Sequence, residues 1–405
     1  MKKLRTGVLG LGLRGNSFLK NVLLDMEELE IIAICDTIEE RVYKVLDLFK
    51  NKPKTYFNAL ELLDNEQLDC VFIFTPWISH IHLSIEAMNR NIPVAMEVGG
   101  AYDEHELWKL VDAYEKTKTP FMMLENCCYG RLEMMALNMV EQGELGEIIH
   151  LSGGYMHDLR YEVSEGYYNK HYRLDNYRKR NTENYPTHEL GPLAKLININ
   201  RGNRFLTISA QASKARGLKE YIDNNTSEKV DKARGLDFNQ GDIVTTTIKC
   251  ANGELISLKL DTTLPRYYSR GFYVQGTKGL INEENMSVFL EKDTTLEDHF
   301  EWTKNYNNIE KYYEKYEHPV WKNYLEEGVK KGHGGMDYLV VKAFVDALIN
   351  EEKMPIDVYD AAAWLSVTTL AEKSIALGGQ LLPFPDFTQG KWIYDELTFV
   401  DENSR

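Results

Sequence analysis

The chain has 405 residues, 47 Lys and Arg against 62 Asp and Glu, and a formal charge of −15. At about 150 residues per domain this suggests two or three domains, with a core that needs no disulfide or metal staple. The acidic balance argues against a nucleic-acid binder, and 43% hydrophobic residues with 11% aromatics argue against wholesale disorder.

The first residues, MKKLRTGVLG, read as a strand and not as a secretory leader, because Arg5 and Gly7 break the apolar run. No run of about 18 apolar residues suggests a membrane span. A cytoplasmic location is expected, although an exported protein whose leader has been removed would look the same. Strand-length apolar runs occur at 5–10, 30–35, 70–74, 93–97 and 121–125. Helical patterns lie between them at 18–24, 39–49, 81–89 and 104–117. In the last, Leu107, Leu110, Val111 and Tyr114 form one apolar stripe. Buried strands alternating with helices predict a doubly wound parallel sheet.

After about residue 145 the pattern changes. Runs at 147–155, 204–212, 242–250 and 254–262 follow without comparable helices between them, and Asn252-Gly253 marks a hairpin. The expected fold class is therefore α/β. An N-terminal Rossmann domain with a doubly wound parallel sheet spans 1–145. An α/β domain with a largely antiparallel open sheet and C-terminal helices spans 146–405. Segments 213–240 and 291–332 read as irregular excursions, and 335–350 and 359–377 as helices.

Gly10-Leu-Gly12-Leu13-Arg14-Gly15 follows the first strand and opens a helix. The three glycines suit a tight turn, close approach of a pyrophosphate, and close helix packing, with the helix N-terminus facing the phosphates. Asp36 ends the second strand, 26 residues after Gly10. A carboxylate there accepts from ribose hydroxyls and repels a 2′-phosphate, so NAD is the expected cofactor. Arg14 is placed to approach phosphate or to stay solvated. Glu97 and Asn126 follow successive strands, where an open α/β sheet binds ligands. Asn126 offers a donor and an acceptor, suited to a carboxamide or ribose, or it caps a helix. His80 and His82 lack a third ligand, and no CxxC pair of zinc spacing occurs among the five cysteines (Cys35, Cys70, Cys127, Cys128, Cys250), so no metal is expected.

Further motifs carry a resemblance. Thr75-Pro-Trp-Ile-Ser-His80 follows one strand and Glu97-Val98-Gly99 another. This arrangement resembles the glucose-fructose oxidoreductase and inositol dehydrogenase-like superfamily. Typical dehydrogenases of that group have Glu-Lys-Pro at the second motif, where this chain has Val98. MLENCCYGR at 123–131, GGYMHDLR at 153–160, HYR at 171–173, NYPTHELGP at 184–192, NRG at 200–202, YYSRGFYVQGTKG at 267–279 and GHGGMD at 332–337 are similar to glycoside hydrolase family 109. Two residues depart from that pattern, Glu189 where glycine is expected and Tyr267 where proline is expected.

The resemblance implies an NAD-dependent α-N-acetylgalactosaminidase working by a redox-neutral route. C3 of the sugar is oxidised, the acidified C2 proton is removed, the C1 substituent leaves, water adds, and C3 is reduced again. It implies Tyr155, His157, Tyr185 and His188 as catalytic residues, tuned for proton transfer. Tyr155 and His157 lie two apart on a strand and share a face. Substrate contacts fall to Tyr155, Arg173, Tyr185, Pro186, Thr187, His188 and Tyr268. Cofactor contacts fall to Gly10, Gly12, Leu13, Arg14, Gly15, Asp36, Trp77, Ile78, Ser79, His80, Glu97, Val98, Asn126 and Tyr185. His333 either starts a helix or closes the sugar site. The expected partner is a small-molecule or glycan substrate, with a homo-oligomer allowed. The competing readings are a sugar or cyclitol dehydrogenase with net redox and a noncatalytic nucleotide sensor.

Overall fold

The computed structural model describes residues 3–330 and 332–394, and their contacts form two units. One takes the described residues up to Tyr129 together with Asn323–Leu365; the other takes Gly130–Lys322 and the described residues from Ser366 onward.

In the first unit the five apolar runs become β1 (Leu4–Leu9), β2 (Leu29–Cys35), β4 (Cys70–Ile73), β5 (Val94–Met96) and β6 (Phe121–Met123), with a short edge strand β3 (Lys54–Tyr56). They pair in parallel in the order β3-β2-β1-β4-β5-β6. The order reverses between β1 and β4, the switch point at which open sheets bind ligands. The helices are α1 (Leu13–Asn21), α2 (Glu39–Val45), α3 (Ala59–Asn65), α4 (Trp77–Met88) and α5 (Glu104–Thr117). Helix α4 begins four residues before the expected start, because Pro76 (φ −59°) presets the backbone ahead of the first turn. Trp77, Ile78, Ser79 and His80 therefore form that turn. Far along the chain, α13 (Met336–Ile349) joins the same unit, and its Phe344 ring meets Phe72 of β4 edge-on at 5.5 Å.

The second unit has eight strands: β7 (Ile148–Met156), β8 (Phe205–Ala212), β9 (Ile243–Cys250), β10 (Leu255–Asp261), β11 (Tyr273–Gly276), β12 (Gly279–Asn282), β13 (Ser287–Leu290) and β14 (Leu382–Pro383). Their order is β13-β12-β11-β7-β10-β9-β8-β14, and only β7 and β10 run parallel. Asn252-Gly253 makes the β9–β10 turn, with Gly253 at φ +108°. Leu151, Gly153 and Tyr155 share one buried face of β7, against which α9 (Thr187–Leu196) packs.

The segments expected to be irregular contain helices. Within 213–240 lies α10 (Gly217–Asn224), which buries Leu218 and Ile222 one turn apart. Within 291–332 lie α11 (Glu310–Tyr316) and α12 (Pro319–Glu327). Helix α11 buries Tyr312, Tyr313 and Tyr316. Tyrosines there supply an apolar face that charge-rich composition hides. The remaining helices are α6 (Arg131–Glu141), α7 (Arg160–Ser164), α8 (Arg173–Lys179) and α14 (Val358–Ala376). No helix among the described residues is long and apolar enough to cross a membrane.

Candidate active site

The carboxyl ends of β1, β2, β4, β5 and β6 carry the expected cofactor residues other than Tyr185, which belongs to the second unit. Gly10 has φ +90°, and a Cβ there would lie 2.6 Å from the Phe74 carbonyl. A Cβ at Gly15 would lie 2.0 Å from Gly10 O. At Gly12 a Cβ would meet only Arg41 Nη1, at 3.7 Å. Two glycines thus serve packing, and the middle one leaves open backbone for a ligand. Asp36 Oδ2 accepts from Leu11 N and Oδ1 from Ile38 N, both at 2.8 Å. Each oxygen keeps a further lone-pair direction for a ribose hydroxyl. Arg41, which sequence reasoning missed, stands 3.7 Å from Asp36.

Leu13 and Ile78 are 73% and 70% exposed, apolar side chains of the kind that a bound dinucleotide would cover. Trp77 packs on Gly99, where a Cβ would approach the indole Nε1 to 2.3 Å. Ser79 Oγ donates to Thr75 Oγ1 and Pro76 O, both at 2.8 Å. His80 is buried, with Nδ1 3.0 Å from Gly99 O and Nε2 2.6 Å from Thr75 O, and burial lowers its pKa. The ring lies between the loops after β4 and β5, and in its neutral form it donates to one of the two carbonyls. Glu97 Oε2 accepts from Arg14 Nε at 2.9 Å, and Oε1 accepts from Val98 N at 3.1 Å. Val98 is buried. The outer edge of the Arg14 guanidinium is taken by Asp337, to which sequence reasoning gave no role. Glycine loop, ribose acid and open carbonyl-end edges fit a dinucleotide.

In the second unit, Tyr155 is the penultimate residue of β7, His157 lies just past the strand's end, and Tyr185 and His188 flank the start of α9. The Tyr155 ring lies 4.4 Å from Tyr185, 5.6 Å from His188 and 5.9 Å from His157. Tyr185 and His188 stand edge-on at 4.8 Å, and Tyr268 meets His157 at 5.1 Å. Tyr155 Oη is 3.4 Å from His157 Nδ1. The Arg173 guanidinium lies 5.2 Å over Tyr185 and 3.3 Å from Glu162. Pro186 and Thr187, between Tyr185 and His188 in the chain, are buried. The structure thus brings together Tyr155, Arg173, Tyr185, His188 and Tyr268 of the residues expected at the substrate, with His157.

Burial and neighbouring charge shift two groups of this cluster. Burial lowers the His157 pKa, helped by Arg173 and His188, against the pull of Glu162 and Asp158. A neutral imidazole can accept a proton. Burial opposes the Arg173 charge, but Glu162 and the phenols of Tyr155, Tyr172 and Tyr185 outweigh it and raise its pKa. The same cation stabilises negative charge developing on either site phenol. Of the two departures from the family pattern, Glu189 is buried against β7, where Gly153 lacks the Cβ that would come within 2.7 Å of it. Tyr267 is 75% exposed, beneath Arg266. Sequence reasoning also missed Glu183, fully buried two residues before Tyr185 with neither carboxyl oxygen hydrogen-bonded among the described residues.

Comparisons agree with both halves. Residues 129–394 match the family model for the glycosyl hydrolase 109 C-terminal domain, and residues 4–124 that of the oxidoreductase family NAD-binding Rossmann fold. A glycosyl hydrolase family 109 protein of Stenotrophomonas maltophilia (strain K279a) is 40% identical, covering 96% of this chain and 90% of its own. An alpha-N-acetylgalactosaminidase of Tannerella forsythia is 38% identical, covering 98% and 89%. Among solved structures, myo-inositol 2-dehydrogenase from Lactobacillus plantarum superposes with a TM-score of 0.66 at 16% identity, covering 95% of this chain and all of that one. The WlbA dehydrogenase from Bordetella pertussis, solved with NADH and UDP-GlcNAcA, gives 0.66 at 14% identity, covering 95% and 98%. At those identities the solved structures share the fold alone, whereas the sequence relatives and the two matched models settle the family. The chain belongs to glycosyl hydrolase family 109, a glycosidase built on an NAD-binding Rossmann fold.

Proposed function

We propose that this glycosidase removes terminal N-acetylgalactosamine by redox-neutral oxidation, elimination, water addition and reduction. The observation that carries the reading is the convergence of Tyr155, His157, Tyr185, His188 and Tyr268 around one face of β7. Conventional glycosidases place two carboxylates across the bond; this cluster offers phenols and imidazoles instead. NAD, held by Gly10–Gly15, Asp36, the Trp77–His80 turn, Glu97 and Asn126, supplies a reversible hydride acceptor for C3 of the sugar. With C3 a ketone, the C2 proton becomes removable, and this reading assigns its exchange to His157, whose pKa burial lowers, and to Tyr155, hydrogen-bonded to it. His188 and Tyr185 are assigned the proton given to the departing C1 oxygen. Arg173 orients Tyr185 and supports charge on the phenols.

Turnover of a nitrophenyl N-acetylgalactosaminide in D₂O tests the reading. Deuterium at C2 of the released sugar, with NADH failing to accumulate, is the expected result. Protium alone at C2, with no primary isotope effect from C2-deuterated substrate, overturns the elimination route. NADH formed in step with product and without bond cleavage would instead mark a dehydrogenase with net redox.

A further inference from the structure

Asp337 stands in the first turn of α13, its side chain 2% exposed. Its carboxylate collects three side chains from three other parts of the Rossmann unit. Oδ1 accepts from Arg14 Nη2 at 3.0 Å and from Asn126 Nδ2 at 2.8 Å. Oδ2 accepts from Arg14 Nη1 at 3.0 Å and lies 2.7 Å from His333 Nδ1. Burial pushes the carboxyl up, yet His333 and Arg14 hold its pKa down at about 2, so it is ionised at neutral pH.

This geometry changes what Arg14 does. Its two terminal nitrogens face Asp337, its Nε faces Glu97 at 2.9 Å, and its plane lies 4.2 Å over the Phe18 ring. A guanidinium with a carboxylate at each edge has little net charge left for a pyrophosphate. It acts instead as a crosslink between the glycine loop, the end of β5 and the start of α13. The same carboxylate settles which way Asn126 points. An amide whose NH₂ donates to Asp337 must direct its oxygen elsewhere; that oxygen accepts from Cys127 Sγ at 3.7 Å and keeps a second lone pair.

The turn that delivers Asp337 is built for that placement. Gly332, His333, Gly334 and Gly335 all have positive φ, at 105°, 42°, 65° and 101°. A Cβ at Gly335 would approach Tyr324 Cε1 to 2.6 Å. Only a glycine-rich stretch follows this path, and the one side chain it carries, His333, rests on Asp337 and Arg14.

We propose that Asp337 is a positioning residue of the cofactor site: it fixes Arg14, and with it the glycine loop, and sets the Asn126 carboxamide as an acceptor for the dinucleotide. The proposal rests on the NAD reading above. Protein stripped of nucleotide, wild type and the variants Asp337→Ala, Asp337→Asn, Arg14→Ala and Arg14→Ala/Asp337→Ala, is titrated with NAD⁺ by calorimetry. Asp337→Ala should weaken NAD⁺ about tenfold or more, as loss of an orienting outer partner does elsewhere. Asp337→Asn, which keeps an acceptor oxygen, should fall between it and wild type. The double variant should bind no more than about twofold worse than the weaker single, because the two residues act as one unit. In turnover, the loss should appear in the NAD⁺ needed for half-maximal rate more than in kcat.

Unchanged NAD⁺ affinity in Asp337→Asn and Asp337→Ala overturns the proposal while leaving NAD use intact. So does fully additive loss in the double variant, or a kcat at saturating NAD⁺ that falls as far as affinity does. If Asp337→Ala does not fold, Asp337→Asn and Arg14→Ala decide. A wild-type protein that binds no NAD⁺ at all overturns the cofactor reading itself, which is a separate outcome.

Discussion

Replacing Glu183 by Gln should abolish the pH dependence that this residue imposes on stability. Glu183 is held between two fixed neighbours. Thr182 Oγ1 donates to Thr368 O at 2.5 Å and Asn184 Nδ2 to Gln240 Oε1 at 3.1 Å, so the segment cannot easily turn the carboxyl outward. Burial raises its pKa from 4.5 to about 8, and the nearby Tyr185 N–H offsets only part of this. The unfolded chain releases the proton near 4.5, whereas the folded protein keeps it until about 8. Between those values the folded state binds more protons, so stability falls as pH rises, and the loss is complete above about 8. A rise from 4.5 to about 8 corresponds to at most about 5 kcal/mol. Glu183→Gln removes the titration and little volume. The stability of the variant relative to wild type should therefore be flat below pH 4.5 and move in favour of Gln towards pH 8, by up to that amount. Denaturant melts of both proteins across pH 4–9 read the difference, in which other titrating groups cancel, and infrared difference spectra read the protonated carboxyl directly. A difference between the two proteins that stays constant from pH 4 to 9 would refute the reasoning.

Three further outcomes follow from the site. Asp36→Ala should weaken NAD⁺ about tenfold and raise affinity for NADP⁺, since Arg41, 3.7 Å away, loses its counter-charge; calorimetry with both nucleotides checks it, and an unchanged NAD⁺ affinity would mean that the carboxylate does not reach the ribose. His188→Ala should lower turnover roughly 10²-fold or more, the usual scale for an acid or base; full activity would move the role to Tyr155 or His157. Gly153→Ala should lower both melting temperature and activity, because its Cβ would sit 2.7 Å from that of Glu189. Gly153→Ala/Glu189→Gly should recover much of both, and failure to recover would assign the glycine to the backbone rather than to this contact.

Much of this was legible because period and punctuation carry it. The alternation of buried runs and helical stripes gave the parallel sheet, with Gly10 and Asp36 just past strand ends and Gly12 and Gly15 at the start of α1, where the turn chemistry demands them. Tyr155 and His157 do come together, Oη 3.4 Å from Nδ1, but not as one strand face, since β7 closes at Met156 and His157 lies just past it. The helices of 213–240 and 291–332 were hidden, because tyrosines and charges blur an apolar stripe that only burial defines. Asp337 was hidden for another reason. Its partners Arg14 and Asn126 lie 323 and 211 residues away, and no local pattern encodes a contact at that separation. Glu183 carries no signal at all, since a glutamate in a loop reads as solvated until burial is known.

Val98 and the buried carboxyls beside it bear on where proton transfer takes place. Glu97 already accepts from Arg14 Nε and from the Val98 N–H. Val98 itself is 1% exposed. A lysine at that position would bring an ammonium into a buried site whose nearest carboxylate is already engaged, an arrangement that costs several kcal/mol without a new partner. Valine removes that cost and also removes the proton relay expected of a dehydrogenase. On the proposed reading the relay is supplied by the Tyr and His residues of the second unit, where burial keeps His157 neutral and Arg173 steadies charge on the phenols. The first unit is then left with carboxyl groups whose work is orientation: Asp36, Glu97 and Asp337 each accept from backbone or side-chain N–H groups within the Rossmann unit. A cofactor that is reduced and reoxidised within one turnover places a premium on such fixed acceptors, because the same cradle must serve hydride removal and hydride return without rearranging.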